Sequence, residues 1–293
     1  MYQAANQAEA KASASGCGGF PLANPEGDVT LNSQADVDAF GALKCKSIVG
    51  ALVVVDTLGP DPIVDLTPLN KLKAIGSSLT INADGLTNLS GLNKLKTIGL
   101  LGPFGFIGVS GTGFTDISAL SNLKTITGSI NVINCDALVS LTSAFSKLKV
   151  IAPGQTPEGV ISIFTLNISN NDVLTDMSGF SGLTTMDALR ILTNGALTDL
   201  DDLSGLNTIV EDIFIIENTA LQNVNELDNI TSLGDDLYVF DNPVLSTCCG
   251  FYGLLCADAP ACTANNVAGD VIIFNNGAGC DDELEITAGS SCP

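Results

Sequence analysis

Apolar side chains recur at every third position in separate stretches of the chain. The clearest stretch, LTNLSGLNKLKTI (86–98), carries Leu86, Leu89, Leu92, Leu95 and Ile98 at this spacing. A spacing of three matches neither the 3.6-residue period of an α-helix nor the alternation of a β-strand. The same five-position pattern, here called the apolar ladder, starts at seven places: Ile63, Leu86, Phe114, Leu138, Leu174, Leu197 and Leu221.

The ladders begin 23, 28, 24, 36, 23 and 24 residues apart. Repeats of roughly 20–29 residues are typical of leucine-rich-repeat-like coils, which bury their apolar residues only by stacking on their neighbours. A short strand-like run, such as Leu79–Ile81, precedes each ladder. The pattern therefore predicts a mainly β solenoid with one long parallel sheet along one side.

The outward positions of this sheet change character along the chain. In the earlier coils they are mostly small and polar, as at Thr80, Gly108, Asn131 and Asn167. In the later coils they are apolar or aromatic, with one arginine: Arg190, Leu192, Phe214, Ile216, Tyr238 and Phe240. Exposed apolar area of this kind marks contact surfaces. We predict an interaction site here, unless another part of the chain, such as the N-terminal tail, covers it.

A second candidate contact segment is the apolar insertion LLGPFGF (100–106), which interrupts the repeat. Extra residues in repeat proteins go to loops, often on the binding side. Leu101, Phe104 and Phe106 are therefore candidate interaction residues, with folding back over the coil as the alternative.

Asparagine recurs just after the predicted strands. The positions are Asn82, Asn134, Asn170 with Asn171, Asn194, Asn218 and Asn242. Asparagine tolerates left-handed backbone, and its amide can pair with the backbone of a turn. We predict a structural row that satisfies buried turn amides; a row of sugar-binding amides is the functional alternative. Cys135 falls in the same turn and is predicted to be a buried, free thiol.

Charge divides the chain into two unlike parts. Residues 1–150 carry 10 basic and 11 acidic side chains, whereas residues 151–293 carry Arg190 alone against 21 acidic ones. Such a surface repels nucleic acid and attracts cations or a basic partner, so we expect no nucleic-acid binding. No apolar run approaches the roughly 18 residues of a membrane span, and we expect no membrane insertion.

Cysteines concentrate near the two ends. Cys17 and Cys45 lie at the start, and Cys248, Cys249, Cys256, Cys262, Cys280 and Cys292 lie at the end. They predict disulfide-stapled caps in an oxidising compartment, with the pairing of the last six left open. Metal binding is the alternative, weakened because the chain has no histidine and no paired Cys-x-x-Cys motifs.

These features predict one continuous domain over residues 17–293. An Ala-rich tail (1–16) precedes an N-terminal cap (17–50), the solenoid repeats (51–245) and a Cys-rich C-terminal cap (246–293).

Catalytic chemistry finds little support. The absence of histidine excludes histidine-based triads and dyads. Carboxylate pairs such as Asp235–Asp236 fall at turns, where solvated acids are expected, so we predict no enzyme, with a carboxylate glycosidase as the alternative. We expect no cofactor. Calcium binding by such acids stays open, although no EF-hand loop is present.

Three segments carry a resemblance to a known family: LTNLSGLNKLKTIG (86–99), LTDLDDLSGLNTI (197–209) and LSTCCGFYGLL (245–255). Together with the asparagine turns and the Cys-rich ends, they resemble the receptor L-domain family, and most of all its bacterial secreted branch. The resemblance implies a right-handed leucine-rich-repeat-like β-solenoid in an extracellular or cell-surface location. It implies binding, adhesion or assembly, and no catalytic residues.

We therefore expect a non-catalytic extracellular surface or structural protein that mediates adhesion or self-assembly through its solenoid surfaces. Its partner would be itself, as a homo-oligomer or filament, or another surface macromolecule. The alternative is an extracellular recognition module that binds a carbohydrate or peptide on the outward sheet face.

Overall fold

Short parallel strands dominate the structure. The computed structural model describes residues 27–56, 60–99, 105–148, 165–258 and 261–288. Ten strands form the long sheet, in the spatial order β1 (Val29–Leu31), β3 (Leu52–Val55), β5 (Leu79–Asn82), β7 (Ile107–Ser110), β9 (Ile130–Ile133), β10 (Thr165–Ser169), β12 (Ala188–Leu192), β14 (Ile213–Ile216), β15 (Leu237–Phe240) and β16 (Val271–Phe274). The predicted mainly β fold with a long parallel sheet is confirmed.

Two narrow parallel sheets were not predicted. One contains β2 (Ser47–Ile48), β4 (Ala74–Ile75), β6 (Thr97–Ile98) and β8 (Thr125–Ile126), and the other contains β11 (Thr185–Met186) and β13 (Thr208–Ile209). The last ladder residue of a coil lies in such a strand, as Ile75 pairs with Ile98. Each strand has only two residues, too few to produce a periodic signal in the sequence.

The apolar ladders and the inward strand residues form one core. The ladder of residues 86–98 is fully buried, and so are Leu79 and Ile81 of the preceding strand. The pattern also continues beyond the predicted repeats. Leu245, Cys248, Phe251 and Leu254 occupy ladder positions and are buried, so an eighth ladder extends into the segment predicted to be the C-terminal cap.

Short helices occupy the two ends of the described chain. Helix α1 (Gln34–Ala42) begins at Ser33, whose side chain accepts a hydrogen bond from the Asp36 amide, and buries Val37 and Phe40. Helices α2 (Tyr252–Leu255) and α3 (Glu283–Thr287) pack together near the C-terminus. The coils between them contain 3₁₀ turns at Thr67–Leu69, Ser118–Asn122, Ser178–Phe180, Asp201–Leu203, Asn225–Leu227 and Cys249–Phe251.

Disulfides are present at both ends, as predicted. Cys248 pairs with Cys280, and Cys256 pairs with Cys262. Cys45 and Cys249 are disulfide-bonded as well. Cys17, the predicted partner of Cys45, lies outside the described residues, as do Cys292 and the tail at residues 1–16. None of the helices in the described ranges has the length and apolarity that a membrane span requires.

A row of buried asparagines runs along the inner turn of the later coils. Asn171, Asn194, Asn218 and Asn242 are completely buried. The side-chain oxygens of Asn194, Asn218 and Asn242 each accept hydrogen bonds from the asparagine of the preceding coil. Asn218 Oδ1, for example, accepts from the Asn194 amide (3.1 Å) and from Asn194 Nδ2 (3.2 Å). Asn218 Nδ2 in turn donates to the carbonyls of Ile191 and Ile216. Asn276 ends the row by accepting from Asn242.

The prediction of a structural asparagine row is confirmed for these four positions and wrong for Asn82, Asn134 and Asn170. Those three side chains are exposed. Asn134 and Asn170 have left-handed backbone, with φ of 56° and 55°, one position before the buried row. In the earlier coils, Ala83 and Cys135 occupy the buried position. In each turn, two neighbouring positions lie at the expected distance from the ladder. The sequence alone does not show which of the two carries the buried side chain.

Cys135 is free and buried, as predicted. Its amide donates to Asn171 Oδ1 at 3.0 Å, so it takes the place of the next asparagine in the row. Burial raises the pKa of the Cys135 thiol to about 12, which keeps the thiol neutral and unreactive at physiological pH.

Replacing Asn218 by alanine tests the row. The substitution leaves the buried Asn194 amide without its acceptor and removes one hydrogen bond from each of the carbonyls of Ile191 and Ile216. We expect it to lower the free energy of unfolding by about 2–4 kcal/mol. Chemical denaturation measures the change. The matched control N82A removes an exposed asparagine and is expected to cost less than about 0.5 kcal/mol. Equal effects of the two substitutions would contradict a structural role for the row.

Candidate functional site

The outward face of the last four strands carries two rows of large side chains. Strand register places Arg190, Phe214, Tyr238 and Ile272 side by side in the first row. Leu192, Ile216, Phe240 and Phe274 form the second row. We call these eight side chains the outward apolar face. All are partly exposed, and Phe274 is the most open at 44%.

The aromatic rings of this face stack on one another along the sheet. Phe214 stacks on Tyr238, and Phe240 stacks on Phe274, with a centroid separation of 4.9 Å in each pair. This distance equals the spacing of neighbouring strands, so the sheet itself holds the rings in contact. The rings therefore form a preordered surface, which loses little side-chain entropy when a partner binds.

Arg190 lies at one end of the first row and is held by two contacts. Its guanidinium carbon lies 5.0 Å from the centroid of the Phe214 ring. Its Nη2 lies 3.7 Å from a carboxylate oxygen of the buried Asp212. Arg190 is thus placed between a ring and a carboxylate, both of which attract a cation.

Carboxylates border the face where the strands begin. Asp187, Glu211, Asp212, Asp235, Asp236 and Asp270 precede strands β12, β14, β15 and β16. The charge of Asp236 is the main cause that raises the pKa of the Asp235 carboxyl, whereas burial followed by the charge of Asp187 raises that of Glu211. These directions show that the negative charges at this edge repel one another.

A groove borders the face where the strands end. It has a volume of about 700 Å³ and is lined by Thr193, Glu217, Thr219, Asp241, Pro243, Asn275, Asn276 and Asp281. Thr193, Glu217, Asp241 and Asn275 share left-handed backbone, with φ between 54° and 58°. Each directly follows a member of the second row, so the groove adjoins the outward apolar face. Within the described ranges, its lining holds three carboxylates and no basic side chain.

The structure brings together six of the nine residues predicted to form the interaction site: Arg190, Leu192, Phe214, Ile216, Tyr238 and Phe240. Phe106 lies apart from them, 37% exposed at the start of β7, where its ring is 3.6 Å from the position that a Cβ on Gly108 would occupy. It therefore lies on the outward side of the earlier coils. Leu101 and Phe104 lie outside the described residues.

Sequence reasoning missed Ile272 and Phe274. Their strand, VIIF (271–274), is apolar at every position, so alternation does not distinguish its inward from its outward side chains. The available signal was register: Phe274 follows Phe240 by 34 residues, the same offset that separates Asn276 from Asn242.

A different carboxylate stands out on the ladder side of the coils. Glu226 lies in the 3₁₀ turn Asn225–Leu227, next to the turn of the preceding coil that begins with Asp201. Burial, followed by hydrogen bonding to the Asp201 side chain, raises the pKa of Glu226 to about 7. A carboxyl that is protonated near neutral pH has the property of a general acid. However, Glu226 is not among the residues that line the groove described above.

One group of carboxylates in the described part of the chain has the spacing of metal ligands. Oxygens of Asp212, Asp235 and Asp236 all lie within 4.8 Å of one another. Asp212 already contacts Arg190, which partly neutralises it. Calcium binding stays an untested prediction.

The comparison with protein families agrees with this architecture. Residues 104–197 match the family model described as Receptor L domain. The matched segment begins just before β7 and ends at the first ladder residue after β12. The match supports the resemblance to the receptor L-domain family, a family of non-enzymatic, extracellular-type domains. No curated protein matches the sequence.

The raised pKa of Glu226 predicts a pH-dependent stability. The pKa of Glu226 in the folded state, about 7, exceeds its ordinary value of 4.5, so the folded protein gains stability as the pH falls from about 8 to about 5. Because the side chain is only partly buried, we discount the gain to about 1 kcal/mol.

Urea unfolding of the wild type and of E226Q at both pH values measures this gain. The difference between the two proteins is expected to change with pH, since glutamine does not titrate. E217Q, at an exposed glutamate, controls for the general effect of losing one charge. If the free energies of unfolding of the wild type and E226Q instead differ by the same amount at about pH 5 and at about pH 8, that result contradicts a raised pKa of Glu226.

Proposed function

We propose that this protein is a non-catalytic extracellular or cell-surface protein that acts by contact, in adhesion or in assembly with copies of itself. We further infer a right-handed leucine-rich-repeat-like solenoid. Successive strands pair in chain order, which is the connectivity that such a coil produces. The bacterial secreted branch of the receptor L-domain family remains part of this proposal.

The observation that carries the proposal is the outward apolar face. Its eight side chains form a contiguous, partly exposed surface across four strands, and soluble proteins rarely expose such patches without a partner. Aromatic residues and arginine are also the residue types that most often dominate binding energy. The outward positions of the earlier coils are mostly small and polar, as at Thr80 and Asn131, and their apolar members in the described ranges, such as Val53 and Ile133, form no stacked aromatic rows.

A second candidate function is recognition of a carbohydrate or a peptide. The groove beside the face favours it, because hydroxyl, amide and carboxylate groups from successive coils line a volume of about 700 Å³. Concave sites with a few convergent polar groups beside apolar surface are typical of small-ligand binding.

The double variant F214T/F240T tests the leading function. Threonine keeps the β-propensity of both positions while removing the rings from the face. We expect self-association, measured by light scattering, or attachment to immobilised extracellular matrix proteins, measured by surface plasmon resonance, to weaken about tenfold or more.

The matched control is V139A/V173A, which removes exposed apolar side chains elsewhere on the coils. It is expected to leave both measurements unchanged. A monomeric wild type that binds no matrix protein, but binds sugars on a glycan array, would favour the recognition function. Self-association or attachment that is unchanged in F214T/F240T would contradict the outward apolar face as the contact surface.

A further inference from the structure

The surroundings of Arg190 show that the outward apolar face accommodates a guanidinium group. Its guanidinium lies over the Phe214 ring and beside the Asp212 carboxylate. One strand further along, the same elements recur. Tyr238 lies next to Phe214 in register, and Asp235 and Asp236 immediately precede its strand.

Among the residues that the structure describes, this second position has a ring and carboxylates but no basic side chain of its own. No lysine or arginine follows Arg190 in the sequence. Asp235 is exposed, and Asp236 accepts a hydrogen bond from the Asp270 amide at 2.8 Å. The charge of Asp270 adds to that of this pair. A cation at this position would relieve the repulsion among these carboxylates.

The far edge of the face is also anionic. Ile216 is followed by Glu217, and Phe240 is followed by Asp241, and both carboxylates line the groove. A partner lying across these strands would thus meet carboxylates, then apolar side chains, then carboxylates again. This order favours a segment with basic side chains on either side of apolar ones.

We propose that the outward apolar face binds a basic, apolar peptide segment of a partner protein. An arginine or lysine of that segment would lie over Tyr238, beside Asp235 and Asp236. A second basic side chain would enter the groove at Glu217 and Asp241, and apolar side chains between them would cover Phe240 and Phe274. The inference rests on the proposed function, because it names the partner of the same face.

Charge complementarity selects this partner over the alternatives. A neutral carbohydrate would leave the carboxylates of both edges unpaired, whereas arginine can meet a carboxylate and a ring at once. A lone metal ion would neutralise the acids at one edge but would leave the stacked rings uncovered. Contact of this face with the same face of another copy is also less favoured, since the half that bears it is strongly acidic in both copies.

Three labelled peptides of equal length test the proposal by fluorescence anisotropy with the intact protein. One alternates arginine and leucine, the second alternates glutamate and leucine, and the third alternates arginine and serine. We expect the arginine–leucine peptide to bind about tenfold more tightly than either of the others. Binding should weaken as salt is added, because the contacts at the edges are partly exposed.

Variants then locate the binding. D235N/D236N keeps the shape of both side chains and is expected to weaken the arginine–leucine peptide about tenfold. The control D172N/D228N removes the same number of exposed charges away from this edge and is expected to have no effect. Thermal unfolding verifies that each variant remains folded.

The proposal is overturned if the glutamate–leucine peptide binds equally well, if D235N/D236N binds like the wild type, or if no peptide binds. Equal binding of the arginine–serine peptide would overturn the role of the rings. Failure of this proposal can be distinguished from failure of the proposed function. If F214T/F240T loses self-association or matrix attachment, the face is a contact surface even when no basic peptide binds to it.

Discussion

The inner turn of each coil places peptide groups where water does not reach them, and the rest of the structure depends on how these groups are paired. In the later coils, one asparagine per turn performs this pairing: it donates to carbonyls of two strands and accepts from the coil before it. An unpaired buried amide costs free energy comparable to a lost hydrogen bond. The row therefore ties each of the later coils to the next and contributes to their stability.

The same row aligns the outward face. Because Asn194, Asn218, Asn242 and Asn276 hold successive turns in one register, the strands that precede them are also in register. Side chains two and four positions before each asparagine then line up as rows, which is why Phe214 stacks on Tyr238 and Phe240 on Phe274. Earlier coils lack the asparagine, with Ala83 and Cys135 in its place, and their described outward positions carry no stacked rings: they are mostly small and polar, with aliphatic side chains at Val53, Val55 and Ile133.

Much of this architecture could be predicted from the sequence. The three-residue spacing identified the coils, and the fixed distance from each strand to the ladder that follows it separated the inward side chains of β12, β14 and β15 from the outward ones. The narrow sheets were not predictable, since two-residue strands have no period. The eighth ladder was missed because Cys248 occupies a ladder position while also pairing with Cys280. Strand β16 is apolar at every position and no ladder follows it, so its outward residues Ile272 and Phe274 were missed. Disulfide pairing and the shape of the groove depend on distances between coils. The spacing of residues along the chain does not determine these distances, so neither feature could be predicted.

Hydrogen exchange of the turn amides tests the central claim most directly. The backbone amides of Asn171, Asn194, Asn218 and Asn242 all donate to a side-chain oxygen of the following coil, within the buried core. The account predicts that these amides exchange as slowly as those of the neighbouring strands, through the same cooperative unfolding. Exchange at the rate of exposed turns, while the strand amides stay protected, would contradict the asparagine row as the element that holds the coils in register.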